Sequence, residues 1–244
     1  MFKSGSIFFK LLSLLVLMLI STSFCLLVSK FFITSFFDVS MQNLDFFLSD
    51  YSSNKSILAL KIIQIAYAFG IFIFPVLIFF KIYRLKLIYD LPNLKLVFLS
   101  ILIIFLGNGM VDLLFKINQL FPLSDWMVSY EENAKIITQK FLIMGSVNDL
   151  LLNIFVIAIL PAIGEEILFR GWLWKMCRWK ISPYWTWIIT SLIFAAVHAE
   201  PLHILGLLPL SFFLGWLRKE TGGIEYSTIA HITNNAVACL LMVL

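Results

Sequence analysis

Apolar residues fill most of this chain in long runs, broken at a few places by short polar segments. A helix needs about 20 mostly apolar residues to cross a bilayer, and somewhat fewer inside a bundle. Seven segments reach or approach that length, at about 7–29, 57–80, 96–121, 147–170, 183–199, 203–217 and 226–244. Only helices satisfy their own backbone in lipid among unclosed structures, so all seven are predicted to be helical. Two of them are short, which suits interior helices. The expected fold is all-α, a polytopic transmembrane helix bundle of about seven spans. Segments 30–56 and 122–146 fall between runs and are expected as loops on one side of the membrane. The first mixes Phe pairs with Asp38, Asp45 and Asp50 and suits an amphipathic stretch at the interface. The second carries Pro122, Asp125, Trp126 and the pair Glu131-Glu132.

Composition agrees with that pattern and excludes a soluble globular domain. Only 13% of the 244 residues are charged and 61% are hydrophobic, where an average soluble domain carries about 25% charged residues. Cys25, Cys177 and Cys239 are scattered and form neither a zinc-type pairing nor a disulfide framework. The net charge of +4 comes without a long basic run or a glycine-rich phosphate loop, so nucleic acid is not an expected partner.

The distribution of charge predicts an orientation. Cytoplasmic loops carry an excess of Lys and Arg. With the N-terminus inside, that side collects Lys3, Lys10, Lys81, Arg84, Lys86, Lys95, Arg170, Lys175, Arg178, Lys180, Arg218 and Lys219. The other side collects Lys30, Lys55, Lys61, Lys135 and Lys140, with Lys116 inside a span, and most of the loop acids fall there too. An integral protein of the plasma (inner) membrane with a cytoplasmic N-terminus is therefore expected. Lys3 and Lys10 ahead of an apolar run also fit the start of a signal peptide. No Ala-x-Ala site follows, and Phe24 is too bulky before Cys25 for lipoprotein processing, so the first span is expected to be retained. The stretch from Trp172 to Lys180 alternates aromatic and basic residues, as a headgroup-level anchor does.

Candidate chemistry sits in the last hundred residues. Glu165, Glu166 and Arg170 close the fourth span, and each ionised group near a bilayer centre costs roughly 2.5–3.5 kcal/mol. Adjacent residues on a helix point about 100° apart, so the two glutamates need not share a job. Glu166 and Arg170, at i and i+4, can pair and leave Glu165 free to act as a general base. The competing reading is that all three mark the headgroup boundary. Pro161 and Gly164 are expected to distort this helix and admit water. Glu131-Glu132 with Lys135 offers a control: similar residues outside any apolar span, expected in a solvated loop or short surface helix.

Further polar groups lie on later spans. His198 ends the fifth span one turn after Phe194, and His231 and Asn235 share a face of the last. Buried polar side chains in lipid seek one another, so convergence on one pocket is expected. His203 beside Pro201 is expected at the interface, Asn234 points away from Asn235, and Asp112–Lys116 suits a structural ion pair.

Taken in order, Glu-Glu-x-x-x-Arg (Glu165, Glu166, Arg170), Phe-x-x-x-His (Phe194, His198) and His-x-x-x-Asn (His231, Asn235) resemble the CAAX-protease and bacteriocin-processing family of intramembrane endopeptidases, also called the Abi family. The resemblance divides the chain into N-terminal helices and outer loops (1–146) and a catalytic core (147–244). It implies hydrolysis of a peptide bond in a membrane-associated peptide or protein, such as a leader peptide or a lipidated C-terminus. By that likeness Glu165 activates water, His198 orients it, His231 and Asn235 stabilise the oxyanion, and Glu166, Arg170 and Phe194 support the geometry. Two chemistries stay open: glutamate alone, or a zinc ion held by Glu165, His198 and His231. Eight spans are usual in the family, so either a helix is hidden in 30–56 or the N-terminal region is trimmed. The alternatives are a non-enzymatic immunity or scaffold protein of the same fold, and an ion or proton carrier.

Overall fold

The computed structural model describes residues 6–121, 124–142, 146–198 and 204–241, and every regular element among them is helical. α1 (Ile7–Phe37) leads through a 3-10 turn at Met41–Asn43 to a short α2 (Leu44–Ser49). There follow α3 (Asn54–Ile82), α4 (Leu94–Asn118), α5 (Asp125–Phe141), α6 (Val147–Arg178), α7 (Pro183–Val197), α8 (Ile204–Thr221) and α9 (Glu225–Leu241). α1, α3, α4 and α6 are long and apolar enough to cross a membrane, and α7 is a shorter apolar helix. A polytopic helical bundle is thus the observed fold.

Several boundaries differ from the sequence expectation, each for a local reason. α1 continues past residue 29 until Asp38, whose left-handed backbone (φ 54°) stops it while its N–H caps the Thr34 carbonyl. Segment 30–56 therefore holds the end of α1 and the six-residue α2, with no eighth span. Segment 122–146 is mostly α5, a polar amphipathic helix rather than a loop, and Glu132 is exposed on it. α6 runs on to Arg178, so Trp172, Trp174 and Met176 are buried inside the bundle instead of forming a headgroup belt. Lys61 is likewise buried within α3, and Arg170 is fully buried within α6. Pro122, Pro201 and His203 lie outside the described residues.

Prolines explain the irregular helices. Pro lacks an N–H and its ring crowds the carbonyl four residues back, which widens the preceding turn. Pro75 follows a π-type turn at Phe69–Ile73 in α3, and Pro161 follows one at Ile154–Ile159 in α6. α6 carries a second, at Ile167–Leu173, directly after the two glutamates.

Small residues let α1, α3 and α6 stack closely, the usual way helices associate in lipid. A Cβ on Gly70 would lie 2.6 Å from Thr22 Cα, and one on Gly164 would lie 2.7 Å from Phe72 Cβ. Ser21 Oγ donates across the first contact to the Gly70 carbonyl at 2.5 Å. Gly164 thus provides the close contact with α3, while Pro161 lines the cavity at Glu165.

Contacts at the helix ends fix the directions. At one end Lys10 lies over the Trp179 ring, Lys175 over Phe80, and Ile224 N–H donates to the Ile88 carbonyl. At the other, Leu205 N–H donates to Asn118 Oδ1 at 3.2 Å. The long helices alternate in direction. The first end also carries Lys81, Arg178, Lys180 and Lys219 and is the basic end.

Candidate active site

Glu165 and Glu166 sit where α6 passes from its proline-led turn into the second π-type turn. Both are buried, at 8% and 0% exposure, yet their surroundings differ. Glu166 Oε1 accepts from Arg170 Nη1 at 3.0 Å, the pairing expected one turn on. It also accepts from His231 Nδ1 at 3.0 Å, across from α9. Arg170, 0% exposed, completes its contacts on α8: Nη2 donates to the Ser211 carbonyl at 3.0 Å and approaches Ser211 Oγ at 3.4 Å. Its guanidinium lies 4.3 Å from the Phe194 ring centre.

Glu165 has none of these partners. Its Oε2, like Glu166 Oε2, is buried without a hydrogen-bond donor. Facing it are His198 Nε2 at 3.5 Å and His231 Nε2 at 3.7 Å. The far nitrogen of each imidazole is already committed. His198 Nδ1 donates to the Phe194 carbonyl at 2.7 Å, because a carbonyl can only accept. His231 Nδ1 donates to Glu166, whose carboxylate also takes Arg170. In the neutral imidazoles both Nε2 atoms therefore present lone pairs toward a carboxylate oxygen. Acceptors at such distances call for a donor between them, and water is the simplest.

Phe194 organises this arrangement. It is fully buried, and its ring meets Phe169 edge-on at 5.0 Å, His198 at 4.5 Å and His231 at 5.6 Å. Its carbonyl sets the His198 tautomer. Ser182 caps the start of α7 and Pro183 opens it, so this helix is fixed at the end opposite His198.

Two cavities meet at Glu165 and His198. The more polar one, about 480 Å³, is lined by both, with His231, Asn234, Asn235 and Gln64 among apolar residues such as Ile157 and Leu210, and extends past Thr138 of α5 and Cys239 of α9. The structure so brings Glu165, His198, His231 and Asn235 to one space. Asn235 Oδ1 accepts from Asn234 Nδ2 at 3.3 Å, so Asn234 supports its neighbour. The second cavity, about 570 Å³, is an apolar groove between α1 and α7. Asp112 and Lys116 stand apart as an exposed pair at 3.9 Å.

Two imidazole lone pairs and a carboxylate form a donor set that suits zinc chemically. Among the described residues, however, no group of three or more His, Cys, Asp or Glu side chains is arranged to hold a metal ion.

Sequence reading missed several supporting residues. Ser211 and Ser191 exchange hydrogen bonds between α8 and α7 beneath Arg170. Arg218 Nε donates to the Arg170 carbonyl at 2.9 Å, satisfying an acceptor within the second π-type turn. Lys61 is buried near Asp149 and Cys239, and the orphaned Asn153 amide is fully buried. These partners lie tens of residues away, where helical periodicity carries no signal.

Fold and site together define an integral membrane protein with a buried acid–imidazole centre. Residues 147–237 match the family model described as type II CAAX prenyl endopeptidase Rce1-like, which spans α6 to most of α9. The family resemblance carried by the three motifs is borne out over that segment. No curated protein and no solved structure gives a significant match.

Proposed function

We propose that this chain is an intramembrane endopeptidase that hydrolyses a peptide bond in a membrane-associated protein or peptide, with Glu165 as general base. The observation that carries this reading is the place of Glu165 Oε2, 3.5 and 3.7 Å from two imidazole nitrogens and bordering the cavity that Asn235 also lines. The family match over residues 147–237 supports the same chemistry.

A water in that space donates one hydrogen to Glu165 and the other to His198 Nε2, which leaves its lone pairs directed at a substrate carbonyl. As the new C–O bond forms, its proton passes to Glu165. The carbonyl oxygen, now an oxyanion, accepts from the Asn235 amide. A single such donor is worth about 10²–10³ in rate. When the C–N bond breaks, the amine takes the proton from Glu165, and the products are a carboxylic acid and an amine. Glu166 and Arg170 do not touch the reacting atoms; they hold His231 and the α6 turn.

Membranes from cells carrying the native chain and the Glu165→Gln variant provide the test. A new protein terminus present only with the native chain is expected, and identical termini in both would overturn the reading. The same comparison with a chelator reports on a metal requirement.

A further inference from the structure

Polar side chains that the reaction does not use lie at the far end of the more polar cavity. Lys61 of α3 is 4% exposed and Asn153 of α6 is 0% exposed, both inside helices long enough to cross the membrane. Both side-chain amide atoms of Asn153 lack a hydrogen-bond partner. An ionisable group at such depth is costly and marks a functional site. A buried amide with nothing to bond likewise calls for a partner.

The walls of the cavity set the place of these two residues. Gln64 lines it on α3, Ile157 on α6 and Cys239 on α9. Lys61 stands one turn beyond Gln64 on the same face of α3, and Asn153 one turn beyond Ile157 on the same face of α6. Lys61 interacts electrostatically with Cys239, on the cavity wall, and with Asp149, one turn before Asn153. α3 and α6 run in the same direction, and Phe72 packs against Gly164 beside the glutamates. Lys61 and Asn153 each lie three turns before that contact, so they share a level, roughly 16 Å from the glutamates along the helix axes.

Their chemistry selects an anion. An ammonium offers three donors and no acceptor, so Asp149 does not exhaust it, and the Asn153 amide adds two donors. In a cavity that receives a peptide, the group that such donors hold best is a carboxylate. An extended chain rises about 3.3 Å per residue, and the long lysine stem shortens the gap. A carboxylate met there is about three to five residues from a bond placed at Glu165.

We propose that Lys61 and Asn153 form a carboxylate-binding subsite that holds the substrate by an acidic group about three to five residues from the scissile bond. The group is either the C-terminal carboxylate of the substrate or an acidic side chain near it. The proposal rests on the endopeptidase reading of Glu165.

Saturable photolabelling of purified Glu165→Gln protein in detergent tests it. The probes are synthetic peptides with a farnesylated Cys, for the apolar groove, followed by a tail of three or five residues that carries a diazirine. Each is made as the free acid, as the C-terminal amide, and as the amide with Glu in last place. The free acid is expected to saturate at a concentration at least about tenfold below that of the amide. That ratio should fall to near one in Lys61→Met and drop in Asn153→Leu, which removes only a neutral amide and serves alone if Lys61→Met does not fold. Recovery by the Glu-ended amide assigns the subsite to an acidic side chain as well, and recovery by the free acid alone assigns it to the terminus. Equal saturation by acid and amide, saturable labelling by neither, or a ratio unchanged in variants that melt like their parent overturns the proposal. Cleavage of the free acid by the native protein is scored separately. Acid-selective labelling without hydrolysis sinks the endopeptidase reading and leaves the subsite standing.

Discussion

The two sides of α6 at Glu165 and Glu166 share a backbone and a burial depth but little else. On the Glu166 side Arg170 and His231 both reach one carboxylate oxygen, and Ser211 anchors the guanidinium from α8. Each carboxylate keeps a buried Oε2 without a hydrogen-bond partner, but the Glu165 side borders two cavities that open in two directions. Within a single turn, one carboxylate is consumed by structure so that the next can stay available. The comparison also locates His231 at the boundary, since one nitrogen serves each glutamate.

The largest effect expected on the packed side comes from Arg170→Ala. It leaves Glu166 buried with half its partners gone, and breaking a buried pair this way costs about 3–5 kcal/mol. Denaturation of the detergent-solubilised protein should register that loss, and a stability near native would place Arg170 outside the framework. On the open side, His198→Ala is expected to lower cleavage by about 10²-fold, as loss of a positioned proton-handling group does. Its melting temperature should stay close to native, and a fall comparable to that of Arg170→Ala would erase the contrast between the two sides. Gly164→Ala tests the packing beneath both: its new Cβ meets Phe72 Cβ at 2.7 Å, which has little room to retreat. Overpacking of this kind costs about 1–3 kcal/mol, measurable in the same melt. Ser211→Ala should be the mildest, about 1 kcal/mol for the lost hydroxyl bond to the Ser191 carbonyl. Activity at permissive temperature should survive it.

What could be read from the sequence follows from what helical periodicity encodes. The seven apolar runs became helices, and the i, i+4 spacing of Glu166 and Arg170 gave a real pair at 3.0 Å. Glu165, His198, His231 and Asn235 do line one cavity. The bond from His231 to Glu166 joins residues 65 positions apart, and no local pattern announces it. Pro161 and Gly164 were read as distorting the helix, and π-type turns do flank them, but the contact of Gly164 with Phe72 on α3 was beyond any local pattern. Trp172 and Trp174 followed the composition of a headgroup belt but are buried because α6 continues two turns beyond Arg170. Amphipathic α5 was legible only as one of two options, a short surface helix around Glu131–Lys135, because its apolar positions are too sparse for a hydropathy run.

The most direct test of the division between the two glutamates compares Glu165→Gln with Glu166→Gln in matched preparations, following cleavage rate and melting temperature together. The account predicts that Glu165→Gln loses cleavage by more than about 10²-fold with its melting temperature kept, and that Glu166→Gln melts markedly earlier. Cleavage by Glu165→Gln within a few-fold of native, in a protein that melts normally, would contradict it.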